Sequence, residues 1–414
     1  MLATMRPTGE RPGPAGGSTA ALGRRWLVWA LSRTFVLGVT LGWFDGDTGT
    51  YFAHGRAWWQ GQLPYLAHAV EYPTGATLLF TALAAPVRTY PQFRELFVLV
   101  CLLVDACVFH LVDRIADESR PASAPPAWAP AVVYALASAP LYPVLLVRFD
   151  LFPTAAVLAA TRALARPGTL PPARAARAGM WLGVGVALKL YPLLFFPLLA
   201  LAALRPRRQV ASFAALAAAA ALVVAASFLP FLAAGAGASV LSFLQYQGER
   251  GLQIESTWAS ALLLLARLTP LDVHHAASHH AHDVVGRAAA LLTSVSRVVH
   301  PLALLAVTAL AHVRRLPLPR AFAALCATTL ATASMLSPQF LLWLLPLAAL
   351  AFAGADTFER RGSILLVAIA LLTTLVFPVL YDALLAERLV AILPLFLRNA
   401  ALVALALRLC RPPA

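Results

Sequence analysis

Asp45-Gly46-Asp47 heads the most chemically dense stretch of this chain. From Trp43 to Pro73 the sequence carries two aspartates, one glutamate, two histidines, three tyrosines and three tryptophans, in a protein that is only 12% charged. Carboxylates at a membrane edge are costly to desolvate and are often functional. A D-x-D pair can also hold a divalent metal through its oxygens, although two carboxylates alone are a weak metal signal. A bland reading competes for Asp47, which stands where it would N-cap an interfacial helix over Thr48–Gln60. Tyr51 follows in an Asp-x-x-x-Tyr spacing. Gly61-Gln62-Leu63-Pro64-Tyr65 reads as a turn closing that helix, and Glu71-Tyr72-Pro73 opens another.

Five further polar clusters interrupt the apolar chain. Arg148-Phe149-Asp150 reads either as a mutual ion pair at a span end, or as Arg148 meeting a phosphate while Asp150 orients a basic partner. Lys189 is the only lysine among 32 basic residues, and it precedes Tyr191 and Pro192. It either snorkels to the interface or offers a compact ammonium to a phosphate or developing anion. Gln247–Trp258 is either an ordinary external loop or a binding segment. In the second case Arg250, flanked by glycines, approaches a phosphate, and Gln253 or Glu255 binds sugar hydroxyls. Ser337-Pro338-Gln339 breaks two apolar runs as a turn. His274, His275, His279, His280 and His282 form a tract that can bind metal, but its spacing lacks a clean H-x-x-x-H pair with a third ligand, and a solvated loop is the competing reading.

The elements that must position these residues are membrane spans. The chain of 414 residues is 60% hydrophobic with a mean hydropathy of +0.76, which excludes a soluble globular domain. Long apolar runs separated by short basic loops predict an all-α polytopic membrane protein. Residues 1–22 read as a disordered cytoplasmic tail, and 23–411 as one transmembrane domain. Arg24 and Arg25 then place the tail inside and the 44–75 loop outside. The loops 113–120, 166–177, 205–208, 314–320, 359–361 and 408–411 follow as cytoplasmic. Spans are expected near 25–44, 95–112, 128–147, 151–165, 178–190, 192–204, 210–232, 287–312, 321–336, 338–354, 363–381 and 389–409, about twelve in all. The run 76–87 reaches roughly 18 Å as a helix, too short for a bilayer. It reads as a half-buried helix of the first external loop, and 258–269 as a re-entrant piece of an external region 233–286.

This topology puts every polar cluster on the outer face. The net charge of +14 then reflects the positive-inside bias rather than nucleic-acid binding. No Walker motif or GxGxxG opens a helix, so cytoplasmic nucleotide chemistry is unsupported. Cys101, Cys107, Cys326 and Cys410 form no paired or metal-binding framework.

In their order, Asp47-x-x-x-Tyr51, Gly61-x-x-Pro64-Tyr65, Glu71-Tyr72-Pro73, Arg148-Phe149-Asp150, Lys189-Leu190-Tyr191-Pro192, Arg250-Gly251-Leu252-Gln253-Ile254-Glu255-Ser256 and Ser337-Pro338-Gln339 resemble glycosyltransferase family 87. This is a family of GT-C-type integral membrane transferases that includes actinobacterial polyprenyl-phosphate-mannose-dependent α-1,2-mannosyltransferases. The resemblance runs from about residue 25 to 410, with Tyr72-Pro73-Thr74 departing from the frequent Tyr-Pro-Pro. It implies an inverting transfer of a sugar, mannose in the named members, from a polyprenyl-phosphate donor to an extracytoplasmic lipid- or glycan-linked hydroxyl. It implies Asp47 as general base, with Asp45 as fallback, and Lys189, Arg250 and a loop histidine such as His274 as ligands of the phosphate. No cofactor or metal is then required.

A transporter or flippase of lipid-linked sugars is the alternative. It would line a two-sided path with ionisable residues at mid-membrane, often in inverted repeats. No repeat is visible, and Asp105 is the one carboxylate within an apolar span, where helix packing or a bond to a neighbouring span accounts for it. A non-catalytic scaffold leaves the motif density unexplained.

Overall fold

The computed structural model describes residues 19–43, 45–119, 130–166, 168–204, 209–352 and 356–412. Most of the expected tail and the basic loop 205–208 lie outside the described residues. The helices are α1 Thr19–Trp43, α2 Thr48–Trp59, α3 Thr74–Ala84, α4 Tyr90–Ser119, α5 Pro130–Ser138, α6 Tyr142–Leu145, α7 Leu151–Ala165, α8 Pro172–Leu188 and α9 Phe196–Ala203. They continue as α10 Val210–Ala233, α11 Ser242–Glu249, α12 Thr257–Ala266, α13 Arg287–Val313, α14 Leu318–Thr332, α15 Leu341–Ala351, α16 Thr357–Thr374, α17 Tyr381–Leu385 and α18 Leu389–Leu409. One small antiparallel sheet of β1 Leu252–Gln253, β2 His274–Ser278 and β3 Ala281–Val285 has the order β1-β3-β2. The fold is an all-helical polytopic membrane architecture with this sheet as its one addition.

By length and composition, five helices among the described residues can cross a membrane: Tyr90–Ser119, Val210–Ala233, Arg287–Val313, Thr357–Val379 and Leu389–Leu409. Several of the other expected spans are shorter. The 15 residues of α14 reach roughly 22 Å at 1.5 Å per residue, short of roughly 30 Å of hydrocarbon. Prolines cause part of this shortening by removing a backbone donor and clashing with the preceding turn. Pro140 and Pro143 split the expected 128–147 span into α5, a 3₁₀ turn and α6. Pro192 and Pro338 each sit in a 3₁₀ turn, before α9 and α15. These interruptions have a common consequence: α7 starts just after Asp150, α8 stops just before Lys189, and α15 starts just after Ser337–Gln339.

The first helix begins at Thr19, inside the stretch expected to be tail. The short run after Pro73 is α3. In the expected external region, Ser256 caps α12 by accepting a hydrogen bond from the Ala259 N–H at 3.1 Å. The histidine tract is not a loose loop: His274 to Ser278 pair residue by residue with Val285 to Ala281 across β2 and β3, and His279 and His280 turn the hairpin with φ of 49° and 55°.

A large core gathers Phe97, Phe109, Phe149, Leu325 and Leu345 from α4, the 147–150 turn, α14 and α15. A smaller one joins Leu252, Ile254, Leu262 and Val284 to Ile392 and Leu395, tying the sheet and α12 to α18. Asp105 meets the expectation of a bond to a neighbouring span. Arg33 of α1 holds it through two hydrogen bonds of 2.6 and 2.9 Å, and Trp29 and Tyr134 add donors at 2.7 and 2.5 Å. Such a pair is tolerable in an apolar interior only when it is satisfied in this way. Along α13, Leu291, Val298, Leu302 and Leu305 face outward, as suits a lipid-facing helix.

Candidate active site

The ends of the interrupted helices leave a cavity of about 540 Å³. Its walls include Asp47, Tyr51, Glu71, Arg148, Asp150 and Lys189 from the first half of the chain, and Arg250, Gln253, Glu255 and Ser337–Gln339 from the second. Clusters hundreds of residues apart thus meet in one recess, of the size that takes a small polar headgroup.

Asp47 reaches this recess because of Gly46. Gly46 has φ of 56°, and a Cβ there would lie 2.7 Å from Val147 Cγ2 and 2.8 Å from the Val147 carbonyl oxygen. Only glycine allows that approach without strain, and it brings the turn against the residue before Arg148. Asp47 occupies the N-cap position of α2, yet its side chain makes no capping bond. Its carboxylate instead forms an ion pair with Arg148. Asp45 turns the other way, to Arg94 Nε at 2.5 Å, and does not line the cavity.

Arg148 and Asp150 do not pair with each other. Residues two apart on a helical turn face different directions, so each finds a distant partner. Asp150 is 1% exposed, and its Oδ1 accepts from Lys189 Nζ at 2.6 Å and from Trp343 Nε1 at 2.7 Å. Lys189 Nζ lies 4.9, 5.0 and 5.1 Å from the ring centres of Phe149, Phe340 and Trp343. An ammonium held over aromatic faces with one carboxylate oxygen is a defined cation site rather than a snorkelling end. Tyr191 stacks on Trp343 with ring centres 4.4 Å apart. Tyr51 stacks on Phe80 at 4.3 Å and forms part of the floor.

Arg250 has no carboxylate within ion-pair distance among the described residues. Arg297 of α13 donates to the Gly248 carbonyl at 3.0 Å and so braces the loop that carries it. Gln247 donates to the Glu71 carbonyl at 3.4 Å, which joins that loop to the first one. Gln253 donates to Ser337 Oγ at 3.0 Å. Glu255 is 2% exposed, and burial pushes its carboxyl up to about 7, against the pull of Arg398. His274 lies outside the cavity and pairs with Asp272 at 2.8 Å. The hairpin puts its turn, not its base, over the recess, so His279 and His280 line it instead. Among the described residues no group of three or more histidine, cysteine, aspartate or glutamate side chains is arranged to hold a metal.

Trp343, Arg297, His300 and Tyr381 also line the cavity. They escape sequence reasoning because apolar residues surround them, although Arg297 and His300 stand three apart on α13 and Tyr381 precedes Asp382. The spacing of Trp343 from Phe340 was the one available signal.

No curated protein sequence matches the chain. Among solved structures, the crystal structure of ArnT from Cupriavidus metallidurans bound to undecaprenyl phosphate is similar, at 12% identity and a TM-score of 0.48, over 95% of this chain and 78% of that one. The model of glycosyltransferase family 87 matches residues 70–338. That stretch carries Glu71, Arg148, Asp150, Lys189, Arg250 and Glu255, while Asp47 precedes it. A match over well over half of the sequence, on the segments that build the recess, means that this chain belongs to glycosyltransferase family 87.

Proposed function

We propose that this membrane glycosyltransferase moves mannose from a polyprenyl-phosphate donor to a hydroxyl of a membrane glycolipid or glycan, with inversion, on the extracytoplasmic face. The observation that carries the reading is the placement of Asp47. Its carboxylate leaves the helix it could cap and enters a recess that also holds a caged ammonium and an arginine with no carboxylate partner.

In this reaction Asp47 accepts the proton of the acceptor hydroxyl as its oxygen forms a bond to the anomeric carbon. The bond from that carbon to the phosphate oxygen breaks, and its electron pair leaves with the lipid monophosphate. Lys189 and Arg250 meet the growing negative charge, which fixed cations stabilise best in a site shielded from water. Arg148 orients Asp47 before the acceptor arrives. Asp150 and Trp343 fix Lys189 so that no reorganisation is needed when charge develops. Two phosphate-facing cations supply the electrostatic role that a divalent ion would otherwise play.

The test is transfer of radiolabelled mannose from polyprenyl-phosphate-mannose by the purified protein in lipid nanodiscs. Asp47→Asn keeps the shape of the side chain and removes its basicity. The expected outcome is retained donor binding with a loss of roughly 10²–10⁴-fold in rate. Near-normal transfer by that variant would sink the assignment of the base. Movement of the intact lipid-linked sugar across a sealed bilayer without transfer would favour a flippase.

A further inference from the structure

Glu255 is a buried carboxylate in an unusual state of support. Its backbone is held firmly. Arg398 Nη2 donates to the Glu255 carbonyl at 2.7 Å, and Asn399 Nδ2 donates to the carbonyls of Glu255 and Ser256 at 3.2 and 3.1 Å. Its side chain is not. Oε2 has no hydrogen-bond partner, and the nearest guanidinium nitrogen of Arg398 stands 3.8 Å away. Arg398 Nε and Nη1 and Asn399 Oδ1 are likewise buried without partners. Buried polar atoms are normally satisfied, and each one left open costs free energy. Arg398 and Asn399 lie behind the cavity wall, but Glu255 is part of that wall, so its open Oε2 is placed for a ligand that supplies the missing donor.

The chemistry of that ligand follows from the wall. A carboxylate oxygen asks for an O–H donor and disfavours a phosphate. Phe377 and Tyr381 line the same part of the cavity with ring centres 5.1 Å apart, and they offer flat apolar faces. A sugar ring presents hydroxyls at its edge and C–H groups on its face, and it matches both. We infer that Glu255, positioned from behind by Arg398 and Asn399 of α18, is the hydroxyl-recognising residue of a sugar subsite walled by Phe377 and Tyr381. This rests on the transferase reading above and names the part of the cavity that grips a sugar rather than the phosphate. The upward shift of the Glu255 carboxyl by burial agrees with it, because a carboxyl that is partly protonated near neutral pH can donate as well as accept. Arg398 and Asn399 lie outside the stretch 70–338 that matches the family, and they act through Glu255 without touching the sugar.

The experiment measures KM separately for polyprenyl-phosphate-mannose and for octyl α-mannoside as acceptor probe. Glu255→Gln is expected to raise one of the two by roughly 10–100-fold, the worth of a hydrogen bond to a charged group, with kcat within about threefold. Which KM moves tells whether the donor or the acceptor sugar sits there. Arg398→Gln is expected to give the same KM effect, Arg398→Lys to restore most of it, and the double variant to be no worse than either single one. Unchanged KM values in Glu255→Gln overturn the proposal. So does an Arg398→Gln variant that loses thermal stability and kcat while both KM values stay normal. If Glu255→Gln does not fold, monodeoxy versions of both sugars decide with the unsubstituted protein. Removal of one hydroxyl must cost roughly 10–100-fold, and a flat series refutes the subsite. If the unsubstituted protein transfers nothing, the donor reading is at fault. The rise in melting temperature caused by octyl α-mannoside, present in the unsubstituted protein and absent in Glu255→Gln, then still tests the subsite.

Discussion

Lys189 stands where three aromatic faces and one carboxylate oxygen enclose the space of an ammonium. A guanidinium is wider, planar and carries its charge on a fork. Lys189→Arg therefore keeps the charge but pushes the group into Phe340 and Trp343 or away from Asp150. The expected outcome is a folded protein whose kcat/KM for transfer falls by roughly 10–100-fold, the worth of a desolvated cation–aromatic contact together with its hydrogen bond. Full activity in that variant would mean that charge alone matters at this point and that the cage is incidental. The place of Lys189 in the recess was legible because a single lysine in an arginine-rich chain is conspicuous. Its cage was not, because Trp343 sits 154 positions later inside an apolar helix. The same limit applies to Asp47. Sequence left cap and base as rival readings of one carboxylate; the structure shows a side chain that makes no capping bond and pairs with Arg148, and the Asp47→Asn test decides the base. For the histidine tract the residue type was legible and the position was not, since hairpin pairing decides which histidines reach the recess.

At the scale of elements, α3 is the piece that fixes the distance between the two halves of the site. It follows the loop carrying Glu71 and Tyr72, and it packs on both α2 and α8. Contact with α8 depends on Gly75, where a Cβ would lie 2.6 Å from the Ala187 carbonyl oxygen. Two residues beyond Ala187 is Lys189. Any side chain at position 75 must push the end of α8 outward and carry the ammonium away from Asp150. Gly75→Val is expected to lower the melting temperature, and also to reduce transfer beyond what that loss explains at a temperature where the variant is folded. A variant that melts early but transfers normally would show that α3 serves stability alone. From the sequence, α3 was recognisable as a helix too short to span, because length sets reach. Its role as a spacer was not, since close approach of two backbones leaves no mark beyond a glycine. The shortened helices around the recess show a related point. The expected set of about twelve spans included short ones; prolines and polar ends stop several of these helices early, and the cavity lies among their ends.

For the molecule as a whole, charge separates two ends. The recess gathers Asp47, Asp150, Lys189 and Arg250. The 30-residue helix α4, roughly 45 Å long, carries Arg94 near its start, beside the first loop, and towards its end Asp113, which pairs with Arg25 at 2.5 Å, and Glu118, which pairs with Arg162 at 2.5 Å. Arg320 and Glu359, 3.1 Å apart, join the α14 start to the α16 start. Arginine-rich connections of this kind mark the cytoplasmic side in short-looped membrane proteins, and on that rule the proposed transfer takes place on the outer face. The arrangement makes a direct prediction about sidedness. In a background with the four native cysteines replaced, Gln62→Cys lies in the exposed turn after α2 and Arg361→Cys on the exposed face of α16. A membrane-impermeant maleimide applied to intact cells is expected to label position 62 and to leave position 361 unmodified until the membrane is opened. Labelling of 361 alone would invert the topology, place the recess inside, and remove the argument that the acceptor is extracytoplasmic while leaving the chemistry of the cavity intact. Labelling of both before permeabilisation would mean that one of these connections re-enters rather than crosses. Sidedness is the global property for which the sequence makes the most direct prediction, because counting arginines requires no knowledge of contacts, and the labelling decides it.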